Sequence, residues 1–503
     1  MSLGVAFRVD ATGQIGTGHF MRCLTLADAL RKRGARVRFV SRSLPAYLSD
    51  MLESRSIEFA PLGSVAAEAV AGDLAHSSWL GASQARDAQD SAAALADREW
   101  DWLVVDHYAL DARWESAMRN AAGKIMAIDD IADRRHDCDV LLDQNYYLNM
   151  QTRYHGKVPE KCRLLLGPRY AVLREEFREL RARVKPRSGE VRRILMFFGG
   201  VDASNYTGLA IEALSGLDIK GVDVDVVIGA QHPHRAEIEQ ACATRGHACH
   251  VQTSLMAELM AAADLAIGAG GSATWERCCL GLPVLSLCTA ENQRRQIADA
   301  AEAGLIYSLS SDGDLTSALQ LHIGSILGNE PLRKLISKTA MQEVDGLGVN
   351  RVATALGVDN IKIRIANERD SPKLFEWRNH QTIRAVSKNA APIAWADHQL
   401  WFAKVQADRN RVLLIGEIDN EPVGVVRFDK EGGTALASIY LVPECGFKGQ
   451  GRNLLLSAEE WLKTHHADIK SIHAEVLGAN AASQRLFMWA DYRLESMHYL
   501  KEL

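Results

Sequence analysis

His19 follows a glycine-bearing stretch, ATGQIGTG at 11–18, and Arg22 lies one helical turn beyond it. Glycines such as Gly16 and Gly18 let the chain turn tightly and bring backbone N–H groups close to an anion. An imidazole, which exchanges its proton near neutral pH, can take a proton from water or a sugar hydroxyl beside them. A second small-residue loop, GAGGSATWE, carries Gly270, Gly271 and Ser272 with Glu276 a turn further on. Such a loop admits a diphosphate, and the carboxylate can accept from ribose hydroxyls. Asn292, in the nearby AENQ, is a candidate nucleotide or sugar contact. Asp10, Asp106, His107, Tyr108 and the pair Asp129–Asp130 close apolar runs, where they can orient sugar hydroxyls or the base. Far along the chain, IYLVPECGFKGQGRNLLL sets Leu441 and Val442 before a loop with Lys448, Gly449, Gly451 and Arg452, another pyrophosphate-sized cradle at a helix start.

The elements that must position these residues alternate. The run GVAFRVD at 4–10 predicts a strand, HFMRCLTLADALRKRG an amphipathic helix that Gly34 stops, and RVRFVS a second strand. The runs at 100–108, 123–131 and 140–145 continue as buried strands, giving an α/β domain with a doubly wound parallel sheet over 1–172. A basic helical stretch from Leu173 to Lys185 leads to further strands at 192–200, 222–230, 263–271 and 283–287, a second Rossmann-like domain over 173–356. From 357 to 503 the texture changes to helices with antiparallel-looking strands such as RVLLIGEID and EPVGVVRFD, a third, α+β domain.

With 503 residues, 47% apolar and 24% charged, the chain has the usage of an ordinary globular protein of about three domains; disordered and fibrous classes are excluded. A formal charge of −5 does not favour a nucleic acid or a membrane surface as partner. No apolar run approaches the ~18 residues of a membrane span, and Met1 to Phe7 reads directly into a strand, so a cytoplasmic protein is expected. Nine cysteines without a Cys-x-x-Cys pair predict buried thiols in a reducing compartment and no metal site. No obligate protein partner is evident.

Two facing Rossmann-like domains, each with a glycine-bearing loop at a strand end, form a cleft for a nucleotide-sugar, and the arrangement resembles the GT-B fold. The first loop continues as GTGHFM, lacking Gly-x-Gly-x-x-Gly, which disfavours a dinucleotide oxidoreductase. The segments FRVDATGQIGTGHFMRCLTLADAL, VVDHYALDARWE, AIDDIADRRHDCDVLLDQN, LLGPRYAVLREEF, FFGGVDASN, GGSATWE and AENQ, spread over 4–355, together resemble the nucleotide-sugar hydrolases of pseudaminic acid biosynthesis. That resemblance implies metal-independent hydrolysis of UDP-2,4-diacetamido-2,4,6-trideoxy-β-L-altropyranose, with His19 as the base that activates water. It brings Asp10, Asp106 and Tyr108 into the catalytic group. It assigns Gly16, Gly18, Arg22, Gly270, Gly271, Ser272, Glu276 and Asn292 to substrate. The family's Gly-Gly-Ser-Asp reads here as Gly-Gly-Val-Asp, with Val201.

The loop at 446–451 resembles the acetyl-coenzyme A loop of the GNAT N-acetyltransferases, with glycine at Gly446 where the family has an amide or basic residue. The later HAEVLGANAASQRLFMWADYRLE matches that family's closing strand and helix. The resemblance implies cofactor contacts from Leu441, Val442, Lys448, Gly449, Gly451, Arg452 and Asn480. Phe487 stands where many members carry a tyrosine acting as general acid, and Asp491-Tyr492 replaces Gly-Phe. The opening IRIANERDSPKLFEWRNHQTIRAVS resembles the subgroup that acetylates a UDP-amino sugar, UDP-4-amino-4,6-dideoxy-N-acetyl-altrosamine. Trp377, Arg378 and Asn379 are expected at its acceptor pocket, and Glu475 or a water is expected to remove the amine proton. The alternative left open is a UDP-sugar glycosyltransferase with a regulatory or non-catalytic GNAT-like domain.

Overall fold

The structure is a computed structural model that describes residues 3–63, 72–217, 219–309, 314–357, 361–387, 389–418, 420–443, 450–478, 480–490 and 492–495; the side chains of Asn292 and Trp489 fall outside it too. The chain divides into two compact units, Met1–Leu356 and Gly357–Leu503.

In the first unit, β1 (Gly4–Val9), β2 (Arg36–Ser41), β3 (Glu58–Pro61), β4 (Trp102–Asp106), β5 (Lys124–Ile128), β6 (Val140–Asp143) and β7 (Arg163–Leu166) build one sheet in the order β3-β2-β1-β4-β5-β6-β7, every pair parallel. Strands buried on both faces need unbroken apolar runs, and β1 supplies Val5, Ala6, Phe7 and Val9, with Leu103, Val104 and Val105 beside them in β4. Arg8 interrupts that run. Its guanidinium lies 2.7 Å from Asp10 and 2.7 Å from Asp87 inside the core, and these two carboxylates let a charge survive there.

A second parallel sheet contains β8 (Arg193–Phe197), β9 (Asp223–Ile228), β10 (Ala248–Val251), β11 (Leu265–Ala269), β12 (Val284–Leu287) and β13 (Tyr307–Ser308), ordered β10-β9-β8-β11-β12-β13. Both sheets reverse strand order beside their first strand, at β1/β4 and at β8/β11, and ligands of open α/β sheets bind at such a point. The two halves form one unit because helix Gly348–Ala355 returns to the first domain. Arg33, the residue that follows α1 (Gly18–Lys32), donates to Asn350 Oδ1 at 2.7 Å, and a Cβ at Gly348 would lie 2.2 Å from the Ala171 carbonyl oxygen, which only glycine avoids.

The second unit carries β14 (Lys362–Ile365), β15 (Arg411–Ile418), β16 (Glu421–Glu431), β17 (Thr434–Leu441) and β18 (Ser471–Ala474), in that order, antiparallel except for the parallel pair β17/β18. Helix Gly451–His465 lays Leu454, Ala458 and Leu462 on the face formed by Val412, Leu414, Val426 and Phe428.

The two parallel sheets contain four strands that the apolar runs do not announce: β3, β7, β10 and β13. All four are sheet edges. They are short and paired on one side only, so they need no continuous apolar run.

Behind the first sheet, His136 Nδ1 lies 2.7 Å from Glu115 and its Nε2 3.6 Å from Asp129. Burial alone would lower this imidazole, but the Asp129 and Glu115 carboxylates beside it outweigh it and push it up to about 9. A raised histidine stabilises the fold fully below its unfolded value near 6.5 and loses that contribution as pH rises through about 9. At 1.36 kcal/mol per pKa unit, the first unit should therefore lose about 3 kcal/mol over that window. Urea unfolding at a series of pH values should register this loss in the wild type, and most of the slope should vanish in His136→Gln.

Candidate active site between the two Rossmann-like domains

α1 begins directly after the β1 loop, so His19 and Arg22, three residues apart, lie on one face of its first turn. Both meet Asp106, the last residue of β4, across the switch point. His19 Nδ1 lies 2.5 Å from Asp106 Oδ1. Arg22 donates from Nε to Oδ2 at 2.6 Å and from Nη2 to Oδ1 at 2.7 Å. Burial pushes the Asp106 carboxyl up, but Arg22 and then His19 outweigh it and hold it well below the usual carboxylate range. A carboxylate on Nδ1 fixes the imidazole tautomer with its proton there and leaves Nε2 as the basic nitrogen.

Arg22 also donates to Asp130 Oδ2 at 2.9 Å, and Tyr108 Oη donates to the other oxygen of the same carboxylate. The Tyr108 ring stands edge-on to His19 with centroids 4.6 Å apart, and the rings of His76 and Trp79 and the Arg134 guanidinium lie around it. Burial, with Asp130 beside it, pushes the Tyr108 hydroxyl well up, so it stays protonated and serves as a donor.

A cavity of about 190 Å³ opens here. Its first-domain wall is Ile15, Gly18, His19, Arg22, Tyr108, Asp130, Ile131, Gln144, Asn145 and Tyr147; the second domain contributes Gly271, Ser272, Gln293 and Gln296. Gly271 sits at φ +86°, a left-handed turn at the end of β11 that lets the chain enter helix Ala273–Cys279 beside the cavity. Ser272 makes no capping hydrogen bond with its side chain.

Gly18, His19, Arg22, Tyr108, Gly271 and Ser272 thus meet at one cavity, and Asp106 acts on it through His19 and Arg22. Other expected residues stand apart from the wall. Asp10 is fully buried: Arg8, the Ser41 hydroxyl at 2.8 Å and the Arg42 and Ser43 N–H groups at 2.7 and 3.1 Å occupy its carboxylate, so it fastens the ends of β1 and β2. Gly16, at φ +73°, shapes the loop behind Gly18. Gly270 packs under Ile297, where a Cβ would lie 2.7 Å from its Cδ1. Glu276 lies 3.7 Å from Arg174, and burial raises its carboxyl against the opposing charges of Arg174 and Arg277. The Asn292 side chain lies outside the described residues.

Sequence reading gave no role to Gln144, Asn145, Tyr147, Gln293 or Gln296. The available signal was position: the first two continue the run VLLDQN past β6, as Asp106 closes β4 and Asp130 follows β5. Among the described residues no three His, Cys, Asp or Glu side chains cluster as a metal site, and no helix is long and apolar enough to cross a membrane.

In the second unit, Lys448 and Gly449 lie outside the described residues. Gly451 opens its helix with a Cβ position 3.1 Å from Leu486, and Arg452 follows it. Leu441 ends β17 opposite Gly424, and the Val442 N–H donates to the Val423 carbonyl. Asn480 caps helix Ala481–Trp489, its Oδ1 accepting from the Ser483 N–H at 3.0 Å. Phe487 is buried against Tyr492, whose hydroxyl donates to Glu459 at 2.8 Å. Asn379 clasps Ile393 through both backbone groups, and Trp377 packs against the core around Leu374 and Phe402.

Residues 372–489 match the model of the acetyltransferase (GNAT) family. A UDP-2,4-diacetamido-2,4,6-trideoxy-beta-L-altropyranose hydrolase of Campylobacter jejuni is 24% identical over 302 residues, 60% of this chain and 97% of that protein. The spore coat polysaccharide biosynthesis protein SpsG of Bacillus subtilis is 30% identical over 203 residues, 40% of this chain and 59% of that one. The chain thus joins a two-Rossmann-like unit, similar in sequence to these two proteins, to a segment that matches the GNAT family model. The fusion is also matched end to end: an uncharacterized protein of Methanocaldococcus jannaschii is 23% identical over 496 residues, 96% of this chain and 95% of its own length.

The short His19–Asp106 contact yields a spectroscopic expectation. A strongly downfield imidazole N–H resonance should appear in the proton NMR spectrum of the wild type, shift upfield in Asp106→Asn and be lost in His19→Gln; its persistence in His19→Gln would show that it does not arise from His19.

Proposed function

We propose that the first unit hydrolyses the anomeric bond of UDP-2,4-diacetamido-2,4,6-trideoxy-β-L-altropyranose and that the second transfers acetyl from acetyl-coenzyme A to the 4-amine of its precursor, UDP-4-amino-4,6-dideoxy-N-acetyl-altrosamine. The observation that carries the reading is the His19–Asp106 pair on a cavity whose opposite wall is the Gly271–Ser272 loop. A sugar held against His19 and Tyr108, with its diphosphate at Ser272, presents the anomeric carbon between the two. His19 Nε2 takes a proton from water as the water oxygen bonds to that carbon. The bond from carbon to the β-phosphate oxygen breaks, its electron pair leaving with UDP. Asp106 stabilises the imidazolium so formed. A diphosphate is a good leaving group, so orientation of one water and stabilisation of phosphate charge are the main demands on the site. The likeness to the Campylobacter jejuni hydrolase supports this substrate class.

For the second unit, the GNAT match supports acetyl-coenzyme A as cosubstrate. The backbone fits it. β17 pairs with β18 only over Thr434–Ala437, so Ser438–Leu441 offer N–H and C=O groups on that side to an extended amide-bearing arm. The acceptor side fits an anionic substrate. Arg378 donates Nη2 to the Asn389 carbonyl at 3.3 Å, while among the described residues its buried Nη1 has no hydrogen-bond partner. Burial lowers this guanidinium, and of its charged neighbours Arg384 and Arg427 reinforce the effect while Tyr440 opposes it. Arg427 is paired with Asp429 at 3.0 Å, which leaves the Arg378 and Arg384 guanidinium groups to suit a phosphate-bearing acceptor.

The decisive experiment is NMR of the purified chain with the UDP-4-amino sugar before and after acetyl-coenzyme A is added. Free UDP and the diacetamido sugar should appear only after the addition; an acetylated sugar that stays on UDP would overturn the hydrolase assignment. Loss of a general base should lower hydrolysis by His19→Ala about 10²–10⁴-fold with acetyl transfer unchanged. Arg378→Ala should do the converse, raising KM for the amino sugar about tenfold or more and leaving hydrolysis of the diacetamido substrate intact.

A further inference from the structure

We propose that Asn145 is the neutral hydrogen-bond donor that meets the departing diphosphate, and that Trp275, from the other Rossmann-like domain, fixes which way its amide faces. The proposal rests on the hydrolase reading for its reaction and on the cavity alone for its geometry.

Asn145 lies two residues past β6, where its backbone N–H donates to Asp143 Oδ1 at 3.0 Å, so the residue is held at its root. Its side-chain Oδ1 accepts from Trp275 Nε1 at 2.9 Å. An indole nitrogen only donates, so the atom facing it must be the amide oxygen. The amide nitrogen, with two N–H donors, therefore points the other way. Asn145 lines the cavity, and among the described residues its nitrogen has no partner. Trp275 is fully buried and lies within the first turn of the helix that begins after Gly270–Ser272. The element carrying the expected nucleotide loop thus also sets the donor in the opposite domain.

The location selects the ligand atom. The cavity runs from His19 and Tyr108 on one wall to Gly271 and Ser272 on the other, and Asn145 is bonded across the two domains. When the anomeric C–O bond breaks, negative charge grows on the β-phosphate at this junction. A preoriented amide donor stabilises that charge without itself needing to reorganise. Removal of one such donor lowers kcat by about 10²–10³-fold.

Asn145→Asp is the test, since a carboxylate retains the oxygen that accepts from Trp275 and turns an anion toward the ligand. UDP alone, titrated calorimetrically into the full chain, should bind at least tenfold more weakly to Asn145→Asp than to the wild type, and kcat for the diacetamido UDP-sugar should fall about 10²–10³-fold. Trp275→Phe, which keeps a ring in the core and removes the N–H, should lower kcat with KM unchanged; a purely structural role would lower the melting temperature without that split. It also tests the orientation if Asn145→Asp does not fold. Wild-type UDP affinity and kcat in Asn145→Asp would overturn the proposal and leave the hydrolase reading standing. Weakened UDP binding in that variant, with no UDP released from the sugar by the wild type, would overturn the hydrolase reading and retain Asn145 as a diphosphate donor. Absence of UDP binding to the wild type would overturn both.

Discussion

The first unit is organised around one buried carboxylate. Asp106 ends the strand on one side of the switch point, and α1 starts on the other. The carboxylate can remain ionised in the core only because Arg22 and His19 supply donors to both its oxygens. That requirement fixes the first turn of α1 against β4 to within a hydrogen bond. It also fixes the imidazole, since the nitrogen facing Asp106 is the one that must hold the proton. Arg22 carries the constraint outward to Asp130, and Asp130 carries it to Tyr108. A base and a cation on one helix turn and a phenol past β4 are thereby set by one charge balance.

The second domain repeats the topology and not the chemistry. Its strand ends approach closely at glycines: a Cβ at Gly268 would lie 2.1 Å from the Phe197 carbonyl oxygen at the switch point, and one at Gly229, past β9, 2.0 Å from that of Gly200, past β8. What the second domain offers the cavity is uncharged: Gly271, Ser272, Gln293 and Gln296. In the proposed reading a diphosphate meets these neutral donors on one side and Arg22, already paired with Asp106 and Asp130, on the other, an asymmetry suited to a group that must be released as well as bound.

Much of this was legible in the residues because the signals are local. The three sheets' central strands are apolar runs, His19 and Arg22 share a helix turn by spacing, and Asp106 closes a run of buried residues. The edge strands were not legible, since β3 and β13 are too short and polar to differ from loops. Asp10 shows a different limit. Its place at a strand end is the same as that of Asp106, and only the fold reveals that Arg8, within its own strand segment, and Ser41, on β2, take up its carboxylate. Asn145 was missed for a third reason: its orientation is set by an indole 130 residues away, a relation no spacing rule contains.

The same reasoning bears on the second unit, where the residue expected to protonate a departing thiolate is absent. Phe487 is buried in the core against Tyr492, and the Tyr492 hydroxyl is engaged with Glu459 and pushed well up by burial and that hydrogen bond. Neither supplies an acid matched to neutral pH. Acetyl transfer from a thioester does not demand one. A free thiol titrates near 8.5, so a thiolate leaves with only a modest cost at neutral pH, whereas an alkylamine near 10 is almost wholly protonated and cannot attack until it loses a proton. The larger barrier lies on the amine side. In the proposed reading Arg378 and Arg384 act on that side, since positive charge around an amino group disfavours its protonated form. In the proposed acetyl transfer, the arginines that would hold the acceptor's phosphates would also lower the fraction of its amine that is charged, which reduces the need for a strong base as well as for an acid.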